Sequence, residues 1–144
     1  MSVSVTDPAA DESAGPSRTV RAAVAATIGA PLKVEEVEIG APAAGELRID
    51  LVASGICHTD LSARDGQFPA QFPIVLGHEG TGTVTAVGEG VSQFKPGDRV
   101  AYGSVADGCY AEEPVIPASA AVPIPDGVDL VALSAHKVHG PKGV

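Results

Sequence analysis

The sequence predicts a mainly β fold, a compact barrel of short strands, and three observations carry that prediction. Seventeen Gly and twelve Pro in 144 residues are too many for a helical bundle and supply the tight turns that short strands need. Hydrophobic residues make up 44% of the chain but aromatics only 3%, with no Trp, so the core is to be built from Val, Ile, Leu and Ala. Such side chains suit closely packed strands more than a cavity lined by rings. Short runs of period-two alternation recur between turn residues, and no long helical pattern interrupts them. The length is that of one domain with a sound apolar core.

Residues 1–18 are rich in Ser, Asp, Ala, Pro and Gly, too polar to offset the entropy of ordering, and are expected to form a disordered tail. Two strands follow, Thr19–Thr27 and Leu32–Ile39, around a turn at Gly29-Ala30-Pro31. Glu46–Ser54 alternates, with Leu47, Ile49, Leu51 and Ala53 on one face and Arg48 and Asp50 on the other, as for a strand with one side in water. Thr59–Arg64 makes one or two helical turns, ended by Asp65-Gly66. Thr81–Val87 is a further strand, running into a turn at Gly88–Val91, and Lys95-Pro96-Gly97-Asp98 marks another. Arg99–Tyr102, Tyr110–Ile116 and Ala120–Ile124 complete the strands. The Gly-rich run from Gly77 to Gly90 invites a dinucleotide-binding reading. Gly80 and Gly82 are followed by Thr85 where that fingerprint needs Gly, and no helix opens there. These glycines are assigned to barrel turns.

The net charge of −9, with no offsetting run of Lys and Arg, makes nucleic-acid binding a poor prospect. Two cysteines, Cys57 and Cys109, cannot make a disulfide framework. Residues 1–20 lack the charged start and apolar stretch of a signal peptide, and no segment approaches the ~20 apolar residues of a membrane helix. The expectation is a soluble protein of a reducing cytoplasm, with no membrane partner.

The chemistry-bearing residues are Cys57-His58-Thr59-Asp60 and Gly77-His78-Glu79-Gly80. Zinc prefers thiolate and imidazole, so Cys57 and His78 brought together by a fold are natural ligands. Asp60 and Glu79 are placed to orient such ligands and tune the metal. Thr59 offers a hydroxyl to pass a proton from a metal-bound alcohol, and Gly77, Gly80 and Gly82 let the backbone turn sharply near the metal. Taken singly, a Cys is more often a small buried hydrophobe and a His near a turn a satisfied polar residue. Spacing alone leaves both readings open.

From Gly55 to Val100 the wording is more specific: Gly-Ile-Cys-His-Thr-Asp at 55–60, Phe-Pro-Ile-Val-Leu-Gly-His-Glu-Gly at 72–80, Gly-Thr-Val-Thr-Ala-Val-Gly-Glu-Gly-Val at 82–91, and Lys-Pro-Gly-Asp-Arg-Val at 95–100. This stretch closely resembles the zinc-dependent alcohol dehydrogenases of the medium-chain dehydrogenase/reductase family, and residues 19–127 fit that family more loosely. The resemblance implies a GroES-like barrel. It implies that Cys57 and His78 are catalytic zinc ligands, Glu79 a nearby or alternate ligand, Thr59 the first member of a proton relay and Asp60 an orienting group. His58 sits where the family often places a residue near the cofactor pyrophosphate. In such enzymes a small alcohol is oxidised to an aldehyde or ketone while hydride passes to NAD(P)⁺.

Three departures stand beside the resemblance. Many relatives carry four closely spaced Cys for a structural zinc after the Gly-Asp-Arg-Val block. Here the chain passes through Ala101–Ser104 to Gly108-Cys109-Tyr110-Ala111-Glu112, and that shortened passage resembles the zinc-free quinone reductases of the same superfamily. Ser62 stands where many relatives end the relay in His, and Ser is not a base near neutral pH. Finally, residues 128–144 do not lead into a Rossmann domain, which in the family supplies the third protein ligand. Ser-Ala-His-Lys-Val-His-Gly-Pro-Lys-Gly at 134–143 resembles the cofactor-lysine segment of the cysteine desulfurases, which implies a pyridoxal-phosphate lysine at Lys137. The phosphate cup and ring partners of such a site have no room here, so Lys137 is read as an exposed Lys in a polar tail.

The expected organisation is therefore a tail at 1–18, a GroES-like alcohol dehydrogenase domain at 19–127 and an unrelated segment at 128–144, joined near Asp126–Leu130. The leading functional expectation is an oxidoreductase domain with an incomplete zinc site, binding zinc weakly and unable by itself to hold NAD(P) or turn over. The competing expectations are a quinone-reductase-like member, a non-catalytic barrel that binds a partner subunit or a small ligand, with an oligomer formed through its exposed domain interface, and a pyridoxal-phosphate module at Lys137.

Overall fold

The structure, a computed structural model, describes residues 16–105 and 108–136. It contains β1 (Arg18–Ala25), β2 (Lys33–Ile39), β3 (Glu46–Ala53), α1 (His58–Arg64), β4 (Ile74–Val75), β5 (Gly80–Val87), β6 (Arg99–Tyr102), β7 (Val115–Pro117), β8 (Ala121–Pro123) and α2 (Leu130–His136). The strands form a three-stranded sheet in the order β2-β1-β4 and a five-stranded sheet in the order β7-β3-β5-β6-β8. Every pairing is antiparallel. The mainly β barrel of short strands expected from the turn residues, GroES-like by the resemblance, is the architecture observed. The tail expected over 1–18 lies outside the described residues up to Gly15, and the chain enters β1 at Arg18. Among the described residues no helix is long and apolar enough to cross a membrane.

The core of the larger sheet is Leu47, Ile49, Val84, Phe94, Val100, Tyr102, Cys109, Ile116 and Ala118. The predicted face of β3 is thus confirmed at Leu47 and Ile49, both fully buried. Its other face is not simply wet. Asp50 is exposed as expected, but Arg48 is only 2% exposed. The correction has a local cause: the guanidinium donates to the Pro16 carbonyl (3.0 Å) and Thr85 Oγ1 (3.5 Å) and pairs with Glu113 at 3.4 Å. Glu113 in turn pairs with Arg18 at 2.9 Å. Burial lowers the Arg48 pKa, and the neighbouring Arg18 charge lowers it further.

Residues 110–114 are a second correction. They do not form a continuous strand to Ile116; they stitch the two sheets together. Toward β1, the Ala23 N–H donates to Tyr110 O (2.8 Å) and the Glu112 N–H to Arg21 O (3.0 Å). Toward β3, the Leu51 N–H donates to Glu112 O (3.0 Å) and the Ile49 N–H to Pro114 O (2.9 Å). Because each buried backbone group needs a partner, this shared segment closes the barrel. A third correction concerns Gly80 and Gly82, which lie inside β5 rather than in turns. A Cβ on Gly80 would sit 2.5 Å from Tyr102 Oη, and one on Gly82 would sit 2.3 Å from Asp50 O. Close interstrand approach, not chain reversal, demands glycine there.

The C-terminal helix α2 packs on β3 and β5. Asp129 Oδ1 caps it by accepting from the N–H groups of Val131 (2.9 Å) and Ala132 (3.3 Å). Leu130 and Ser134 are buried, and Thr81 Oγ1 donates to Leu130 O at 2.9 Å. Lys137 and the remainder of the desulfurase-like text lie outside the described residues.

Two outcomes follow from the packing. Gly82→Ala loses about 1–3 kcal/mol of stability through overpacking, whereas Gly40→Ala, with open space around its Cβ, stays within about 0.5 kcal/mol; urea unfolding compares them. Burial, reinforced by Cys109, pushes the Tyr102 phenol far above its usual range. A raised folded pKa contributes stability in full below the unfolded value, about 10, and loses it as pH rises beyond. The urea midpoint therefore falls above about pH 10, and falls less steeply in Tyr102→Phe.

Candidate metal and catalytic site

The candidate residues come from three loops that converge on Asp60. β3 runs through Ser54-Gly55-Ile56 into Cys57, which occupies the cap position of α1 with an extended backbone. Ser54 Oγ donates to Glu79 O at 2.9 Å, tying this loop to the start of β5. β4 leads into Leu76-Gly77-His78, where Gly77 adopts a φ of +94° that favours glycine. The third loop docks on the second through backbone bonds from Cys109 N to Gly77 O (3.1 Å) and from Tyr110 N to Leu76 O (2.9 Å).

Asp60 sits where the three loops meet and is only 4% exposed. Its Oδ2 accepts from the Cys57 N–H at 3.1 Å and from the Tyr110 hydroxyl at 2.6 Å. Its Oδ1 accepts from the Gly77 N–H at 3.2 Å and meets His78 Nδ1 at 3.0 Å. An ionised carboxylate only accepts, so a neutral His78 ring facing it carries its proton on Nδ1 and keeps the lone pair on Nε2. The four bonds together hold a buried charge that would be costly without them.

The other predicted residues fall around this hub. Cys57 is a half-buried free thiol whose Sγ lies 3.4 Å from Thr59 Oγ1. Thr59 and His58 are exposed on the first turn of α1, and Ser62 is buried on its inner side. Glu79 is 8% exposed, and its Oε1 has no hydrogen-bond partner among the described residues. A buried carboxylate oxygen without a partner is open to a further donor or to a cation. The arrangement is nonetheless open: among the described residues, no three His, Cys, Asp or Glu side chains are gathered tightly enough to hold a metal between them. The donor types fit zinc, and the cage is incomplete.

Tyr110 is the site residue that sequence reasoning missed. Fifty positions separate it from Asp60, and no local pattern marks it apart from its rarity as one of two tyrosines. Its ring packs on Gly77, where an added Cβ would lie 2.7 Å from Tyr110 Cδ1. Burial pushes its phenol well above the usual tyrosine range; the bond to Asp60 and the nearby Cys57 and Glu79 push the same way.

Comparison with known proteins places this geometry in a lineage. The profile of the alcohol dehydrogenase GroES-like domain matches residues 43–126. A geraniol dehydrogenase of Castellaniella defragrans is 56% identical over 82 residues, covering 57% of this chain and 22% of that protein. An alcohol dehydrogenase of a Moraxella species is 47% identical over 92 residues, covering 62% and 27%. The chain thus spans about a quarter of the length of these relatives. Among solved structures, a quinone oxidoreductase of Pseudomonas syringae superposes with a TM-score of 0.74 at 36% identity, covering 77% of this chain and 35% of that one. With the profile matched over more than half its length, the chain belongs to the GroES-like domain family of the alcohol dehydrogenases.

Proposed function

We propose that this chain is the zinc-binding, substrate-side domain of an NAD(P)-dependent alcohol dehydrogenase acting on small alcohols and the corresponding aldehydes or ketones. The observation that carries the reading is Asp60, which bonds His78 Nδ1 while capping the turn that presents Cys57. Such a carboxylate–imidazole pair orients a ligand nitrogen and raises its basicity. Cys57 and His78 would hold the zinc, with the unpaired Glu79 Oε1 as alternate ligand. When bound, the metal supplies Lewis-acid polarisation of a substrate oxygen. The exposed Thr59 hydroxyl beside Cys57 would take the proton leaving the alcohol while giving up its own to solvent water. Ser62, buried on the inner side of α1, could pass a proton through water but is no base near neutral pH. His58, exposed on the same turn, would face the nicotinamide cofactor's phosphates in the whole enzyme. A reducing cytoplasm would keep the Cys57 thiol available.

A second reading, a quinone-reductase-like member, is favoured by one observation: the path from Tyr102 to Cys109 carries no run of cysteines, and a quinone oxidoreductase shares the fold at 36% identity. Cobalt separates the two. Titrating the chain with Co²⁺ is expected to give a thiolate-to-metal charge-transfer band that disappears in Cys57→Ser and weakens at least tenfold in apparent affinity in His78→Ala. A chain that binds no cobalt through Cys57 contradicts the zinc reading and supports the second.

A further inference from the structure

Asp60 has four donors but only two oxygens, and which oxygen serves which donor is fixed from outside the motif. Oδ2 is occupied by the short bond from Tyr110 and by the Cys57 N–H, which leaves Oδ1 for Gly77 and His78. Without the phenol, Oδ2 keeps a single 3.1 Å backbone bond, and the carboxylate is held less firmly against rotation about its side-chain torsion. The Tyr110 ring does not depend on that hydroxyl for its place. It is seated against Gly77, and its backbone is pinned by the bond from Tyr110 N to Leu76 O and by the Ala23 N–H to Tyr110 O. The hydroxyl is therefore a separable device on a fixed ring, and its hydrogen bond to the site is made to Asp60.

We propose that Tyr110 is a positioning residue: by occupying Oδ2 of Asp60 it commits Oδ1 to His78 Nδ1–H and so holds Nε2 as the ligand nitrogen. This rests on the reading of His78 as a metal ligand. The test begins on the metal-free full chain labelled with ¹⁵N, in which long-range ¹H–¹⁵N spectra report the His78 tautomer directly. The unmodified chain is expected to carry the Nδ1–H form, and a chain mainly in the Nε2–H form overturns the proposal without any variant. Tyr110→Phe, which keeps the ring, is expected to give a mixture of tautomers, and an unchanged tautomer overturns the proposal. Titration with Zn²⁺ alone is then expected to show a 10- to 100-fold loss of affinity in Tyr110→Phe. Equal affinities in the two chains also overturn it. Failure of the unmodified chain to bind Zn²⁺ at all sinks the metal reading instead, and the tautomer result then decides the positioning role independently.

Discussion

The site depends on one buried carboxylate. Asp60 gathers a backbone N–H from each of two loops, an imidazole from the second and a phenol from the third, all within 3.2 Å. No loop has much of an apolar core of its own, and the buried charge is stable only while these donors stay in place. The carboxylate therefore acts as a structural tie as well as an orienting group for His78. Its placement in the first turn of α1, where it caps its own helix through the Cys57 N–H, holds the Cys57 backbone by the same contact.

Around that tie, the barrel supplies rigidity by stitching rather than by bulk. Residues 110–114 lend alternate backbone groups to β1 and β3, and the same segment carries Tyr110 into the site and Glu113 to the buried Arg48. One short stretch thus closes the fold, neutralises the only buried guanidinium among the described residues and completes the Asp60 shell. Glycines in the first half of β5 permit this economy of space, since Gly80 and Gly82 let the neighbouring strand and the Tyr102 ring come close.

Much of this was legible in the sequence, and the unread parts share a cause. Period-two alternation marked β3 and placed Leu47 and Ile49 inside, and the turns at Gly88–Val91 and Lys95–Asp98 form as their residues require. Cys57, Asp60 and His78 were recognisable because two compact motifs hold them. Arg48 read as solvent-facing because its partners lie at Pro16, Thr85 and Glu113, far along the chain. Tyr110 went unread for the same reason, and Gly80 and Gly82 passed for turn residues because interstrand spacing leaves no trace in local order. Periodicity reports which face of an element is apolar; it does not report which distant polar group comes to meet it.

We propose Cys57 and His78 as one metal-binding pair, organised by Asp60. X-ray absorption at the zinc edge of the zinc-loaded chain tests this most directly. The expected result is one sulfur scatterer at about 2.3 Å with nitrogen or oxygen completing the shell, the sulfur vanishing in Cys57→Ser. A shell of nitrogen and oxygen alone in the unmodified chain would contradict the account.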